Sequence, residues 1–428
     1  MGLTAALAER LLQAVDDGFD EQLRVTMDLV RCPSVRGAEA SAQDLVAREL
    51  AARGHAVERW TIDPEELRRA PGFSPVDGVA YGNALSVVGT LRAGAPGGRS
   101  LIVNGHVDVV PAGPLAMWTS PPFAPEVRNG WLYGRGAGDM KSGLIAALFA
   151  LEALRRTRLA PAGDVQIHSV IEEECTGNGA LSCVLRGYRA DAVLIPEPIG
   201  LALLSAQVGV MWFQLRLAGH PVHVAVADTG SNAILAGYRL IAALRELAER
   251  WNARRADDPH FRTGPRPINF NVGRIAGGDW ASSVPAWCRL ECRISLLPGQ
   301  ELAAARAEVE ACVAAAARDD PFLAHSPPEV VWNGFQAEPF VPRPGGAAEA
   351  CLRAAHARVF GTELPQRKLT GTTDARFYGL NGGMPVLVYG ALCENAHGFD
   401  ERVELASLRQ VTRTLALFIA DWCGVAEA

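Results

Sequence analysis

The sequence lacks any run approaching the ~20 apolar residues of a membrane-spanning helix, so no span is expected. Lysine is nearly absent: Lys141 and Lys368 are the only two, and arginine supplies the rest of the 41 basic residues. Against 47 acidic residues the net charge is −6, which leaves no general basic field for a polyanion and argues against nucleic-acid binding. Paired thiols are missing as well. The nine cysteines are odd in number, scattered and without a CxxC pair, so neither a disulfide framework nor a thiolate zinc site is expected. The first residues carry acidic side chains in place of a basic region and cleavage site, which gives the expectation of a cytoplasmic protein. Hydrophobic residues at 49% and charged residues at 21% exclude wholesale disorder. A length of 428 residues, at roughly 150 per domain, suggests two to three domains.

What is present is an alternation of strand-like and helix-like segments, the signature of an α/β layered domain with a mixed, mainly parallel sheet between helices. Residues 84–92, 100–110, 164–174, 191–198 and 384–390 read as strands. Residues 41–53 read as a helix with capping-box spacing of Ser41 and Asp44 and a stop at Gly54. Residues 142–156 are apolar nearly all round, which predicts a buried helix. From 208 to 336 the pattern becomes two strand-helix-strand halves, as in an inserted α+β open-faced sandwich. Residues 1–207 and 337–428 would then form one catalytic domain.

Four strand segments end in ionisable residues: His106 with Asp108, Glu172 to Glu174, Glu197, and shortly after the last one His397. The carboxyl ends of parallel strands share one rim, so these groups are expected to converge there. Asp139 sits in a glycine-rich turn just before the buried helix and can approach the same rim. An aspartate two residues from a histidine can orient its imidazole, and three adjacent carboxylates are costly unless cations compensate them. Two histidines, two or more glutamates and a shared aspartate are nitrogen and oxygen donors suited to two zinc-type ions.

The ordered segments GHVD, WTSPPFAP, GWLYGRGAGDMKSG, EEECTGNGA, GHPVH, GSNAI, GTTDARF and ENAHGFDE together resemble the zinc aminoacylase and carboxypeptidase family. Its members include acetylornithine deacetylase, succinyl-diaminopimelate desuccinylase and glutamate carboxypeptidases. The resemblance implies that His106, Asp139 and Glu197 bind one metal, and that Asp139, Glu174 and His397 bind the other. It makes Glu173 the general base and Asp108 the residue that orients the first histidine. It also implies two divalent ions per chain, zinc first, with cobalt or manganese as alternatives. The segment 208–336 resembles the family's lid and dimerisation domain, which implies a homodimer in which His223 reaches the partner's active site.

For substrate, Arg293 matches a lid arginine that holds a carboxylate in several relatives, and Thr372 matches a substrate-contacting threonine. Ser282 stands where the family commonly has an asparagine. The expected activity is hydrolysis of a small N-acyl amino acid or related N-acyl amine, with Glu173 taking the proton of a water activated by two metals. A dipeptidase or carboxypeptidase would use the same centre. A non-catalytic binding protein would have lost Glu173 or a ligand, and none is lost.

Overall fold

The computed structural model describes residues 3–76, 81, 85–94 and 97–427. Its main sheet has six strands in the order Ala56–Thr61, Leu85–Leu91, Val165–Val170, Leu101–His106, Ala192–Ile195, Val386–Val388. The first two neighbour pairs are antiparallel and the remaining three are parallel. The sheet is thus mixed and mainly parallel, and its inner strands read as near-continuous apolar runs because both faces are covered.

The helix Ser142–Arg156 is buried from Ser142 through Leu154 and packs in one core with the helices Ala5–Val30 and Leu405–Trp422. Truncating one of its leucines to alanine belongs to the class of core changes that costs 2–5 kcal/mol. The helix Ala40–Ala52 does begin and end near the expected places, with Gly54 at a φ of +84° beyond it. The capping box of Ser41 and Asp44 is not realised, because Glu39 takes the N-cap position and its carboxylate accepts the Gly37 N–H instead. Strands are also shorter than their apolar runs suggest: Leu101–His106 stops at His106, so Asp108 lies past the strand end and not on its face. Residue 84 falls outside the described residues.

A second core gathers residues between Ala206 and Ala337. Its sheet is antiparallel, in the order Asn271–Gly277, Trp287–Leu296, Gly209–Ala218, Glu329–Ala337. The helices Ala233–Ala253 and Leu302–Arg318 contribute their buried stripes to that core. The chain enters and leaves this region at one place, where the N–H of Gln207 donates to the Phe340 carbonyl and the Phe340 N–H donates back.

Candidate active site

His106 ends its strand fully buried. Its Nδ1 lies 2.9 Å from the backbone carbonyl of Asp108, which fixes the ring. Its Nε2 faces three carboxylates: Asp139 Oδ1 at 3.3 Å, Glu173 Oε2 at 3.7 Å and Glu197 Oε1 at 3.9 Å. On the other side of Asp139, His397 Nε2 lies 3.5 Å from Asp139 Oδ2 and 2.8 Å from Glu174 Oε2. One oxygen of Asp139 therefore faces each histidine. Strand ends supply His106 and Glu197, and turns supply Asp139, Glu173 and Glu174.

Two of these turns are presented by buried carboxylates. Asp108 accepts the backbone N–H of Glu173 at 3.3 Å and of Glu174 at 3.1 Å. Glu401 accepts the N–H of Gly138 and of Asp139, each at 3.0 Å. Glu172, which precedes the pair, turns away with a φ of +64°. Its carboxylate takes donors from Arg36, Tyr81 and Thr176, so this member of the glutamate run is compensated by an arginine and needs no metal.

Electrostatics point the same way. Burial pushes the Glu173 and Glu197 carboxyls well above their usual range, and neighbouring carboxylates add to it. Burial opposes the charged forms of Asp139 and both imidazoles, yet their mutual contacts prevail: Asp139 is lowered, His106 is raised, and His397 is raised to about 11. Protons are held here because negative charge exceeds positive charge in a buried place. His106 Nε2 and Glu197 Oε1 are buried atoms without a hydrogen-bond partner among the described residues. Orphaned buried donors and acceptors are rare, and a set of nitrogen and oxygen atoms without thiolate fits divalent cations. Two groups are close enough to share an ion, each with its ligand atoms within 4.8 Å of one another: His106, Glu173 and Glu197, and His106, Asp139 and Glu174. Glu173 thus stands as near His106 as Glu197 does.

The remaining expected residues lie elsewhere. Arg293 donates to Ser295 Oγ at 3.1 Å, to the Asn269 carbonyl at 3.3 Å and to the Thr370 carbonyl at 3.4 Å. Thr372, two residues on, accepts from Gln207 at 3.2 Å and from Arg376 at 3.4 Å. His223 and Ser282 are exposed neighbours, joined by the Val224 N–H donating to the Ser282 carbonyl. No hydrogen bond or ion pair joins His223 to the carboxylate cluster among the described residues, and its Nδ1 accepts the Ala225 N–H. Sequence reasoning passed over Glu401, Arg135 and Asp374. Glu401 and Asp374 stand inside the segments ENAHGFDE and GTTDARF, where a carboxylate near a ligand histidine or a substrate threonine was the available signal. Asp374 is buried, accepts the Asn104 amide at 3.1 Å, and is pushed up to about 6 by burial.

Residues 102–421 match the family model described as peptidase family M20/M25/M40. The chain belongs to this family. Its reaction is the metal-dependent hydrolysis of amide C–N bonds. Among curated proteins, it is 29% identical to the N-formyl-4-amino-5-aminomethyl-2-methylpyrimidine deformylase of Halalkalibacterium halodurans, over 99% of both chains. It is 30% identical to the succinyl-diaminopimelate desuccinylase of Thioalkalivibrio sulfidiphilus, over 92% of this chain and 97% of that one. The dipeptidase Dug1p of Saccharomyces cerevisiae shares its fold with a TM-score of 0.80 at 15% identity, over 98% and 99% of the two chains. A dinuclear metal-binding peptidase of the M20 family from Bacillus subtilis does so with a TM-score of 0.56 at 14% identity, over 94% and 98%. No helix among the described residues is long and apolar enough to cross a membrane.

Proposed function

We propose that this M20 protein is a dinuclear-metal deacylase that frees the amine of a small N-acyl amino acid or related N-acyl amine. The observation that carries the reading is the placement of Asp139 Oδ1 toward His106 and Oδ2 toward His397, the arrangement of a carboxylate shared by two ions. His106 and Glu197 would complete one site with Asp139, and Glu174 and His397 the other. Zinc suits this donor set, and cobalt or manganese are the alternatives. Two relatives that cover nearly the whole chain are named for removal of formyl and succinyl groups, which supports deacylation.

Two bound divalent ions supply Lewis acidity that polarises the scissile carbonyl and acidifies a water. Glu173 takes the proton of that water at its carboxylate and returns it to the departing nitrogen, a role suited to a carboxylate whose hold on a proton burial strengthens. Arg293 would hold a carboxylate of the substrate, and Thr372 and Ser282 would contact its polar end.

The organisation proposed with this function is a catalytic domain of residues 1–207 and 337–428 and a lid and dimerisation domain of residues 208–336. Exposed apolar side chains on the latter support a homodimer: Leu235 and Tyr238 on one helix, Ile275 on the edge strand, and Trp280 beyond it. His223 would then act across the interface as a donor to the developing oxyanion. The protein would work in the cytoplasm on small molecules, without nucleic acid or membrane. Zinc-loaded protein should release amine from N-formyl, N-acetyl, N-succinyl or longer N-acyl substrates in preference to dipeptides, measured by amine detection. Preference for dipeptides would replace this reading with a peptidase.

A further inference from the structure

The two halves of the proposed metal centre are built differently. His106 and Glu197 sit at or just beyond the ends of neighbouring strands in the buried main sheet. His397 stands on an excursion of residues 395–400 in which Asn395, His397 and Asp400 all have positive φ, of 57°, 63° and 54°. That conformation is uncommon even though Asn, Asp and His adopt it more readily than most residues, so a group outside the loop that helps to hold it matters.

The holding group is a buried ion pair. Arg135 Nη1 lies 2.6 Å from Glu401 Oε2, and both side chains are about fully buried, at 2% and 1% exposure. Arg135 Nη2 donates to the Gly398 carbonyl at 3.0 Å, next to His397. Glu401 Oε1 accepts the N–H of Gly138 and of Asp139, and the Glu401 carbonyl accepts the Gly134 N–H at 2.9 Å. A Cβ at Gly138 would meet Cys393 Sγ at 2.1 Å, so the Asp139 turn and the approach to the His397 loop are pressed together. Two charges removed from water often cost more than an apolar pair of the same size, and what this pair adds is directional bonds to both turns.

We propose that Arg135 and Glu401 are positioning residues that set the separation of Asp139 from His397, and thereby chiefly the second ion's site, since the first shares only Asp139 with them and takes His106 and Glu197 from the sheet. This inference rests on the dinuclear reading of the rim. The test is a zinc titration of wild type, Glu401→Gln, Arg135→Met and Arg135→Lys against a competing chelator, with thermal unfolding followed in parallel. Wild type should bind two ions. Glu401→Gln and Arg135→Met should weaken the second ion at least about 10-fold, the range seen for residues that orient metal ligands, and the first ion, which shares only Asp139, by less. Arg135→Lys keeps the buried charges and should fall between, which covers the case in which the other variants fail to fold. Equal weakening of both ions, or no weakening of either, would overturn the assignment while leaving the dinuclear reading intact. Wild type that binds no zinc would remove that reading and this inference with it.

Discussion

His106 Nδ1 lies 2.9 Å from the backbone carbonyl of Asp108, whereas the nearer Asp108 carboxylate oxygen is 3.6 Å away. The ring is therefore oriented by main chain, and the carboxylate serves the N–H groups of Glu173 and Glu174. An amide in its place offers one acceptor and turns an NH₂ toward a donor. Asp108→Asn should cost about 1.5–3 kcal/mol of transition-state stabilisation, the worth of a hydrogen bond to a charged group, through a misplaced Glu173. The loss should appear in kcat with zinc still bound at His106. Intact kcat would show that the turn holds itself.

Asp139 and Glu173 should separate cleanly in metal analysis. Asp139→Ala removes a ligand from both proposed ions, so it should lower zinc stoichiometry and activity more than His106→Ala does. Glu173→Gln should keep the ions and lose ~10²–10⁴-fold in kcat, the range for loss of proton transfer. Elemental analysis of the two purified variants decides the matter. Loss of zinc from Glu173→Gln would instead make Glu173 a ligand, in keeping with its 3.7 Å approach to His106.

Stability should fall in mild acid for a reason independent of the metals. His168 is buried between Tyr378 Oη and Gln166 Oε1, and burial lowers its pKa to about 3. The unfolded chain takes up that proton near the ordinary pKa of ~6.5, so stability present above that pH is lost as pH falls toward 3. By pH 4.5 the loss amounts to about 2–3 kcal/mol for this one group. Denaturant unfolding of wild type and His168→Gln between pH 7 and pH 4.5 should show their difference shrinking by that amount. A constant difference would mean that the histidine takes up its proton as readily in the fold as in the unfolded chain.

Arg293 provides the test of substrate class. Its guanidinium has carbonyl and hydroxyl partners but no carboxylate among the described residues, and burial lowers its pKa. An N-acyl amino acid should be preferred over its carboxamide by ~1.5–3 kcal/mol in kcat/KM, and Arg293→Ala should lose most of that preference. A wild type indifferent to the carboxylate would point to a neutral N-acyl amine.

The strands, the buried helix at 142–156 and the rim were legible because apolar periodicity and strand-end charges are local signals that packing preserves. His106, Asp139, Glu174, Glu197 and His397 were singled out through their neighbours in sequence, and the structure brings them together. Arg135 and the use made of Glu401 were not, because the bond between them joins two turns far apart in sequence. Glu172 misled for the same reason: three consecutive carboxylates read as one cluster, yet a left-handed residue sends the first of them to Arg36. The capping box at Ser41 failed because Glu39, bonded to Gly37, begins the helix earlier.

The mutual hydrogen bonds of Gln207 and Phe340 set the two crossings between the two cores side by side, and bonds from Gly334 to Pro75 and from Gln336 to Ser74 tie the second core down further. A segment that leaves and returns at adjacent points can be lengthened or trimmed while every strand neighbour in the six-stranded sheet stays where it is. Bond cleavage and the choice of bond can then change at different rates over generations. In the proposed organisation the first is written into strand ends of the main sheet, and the second into the segment packed beside it.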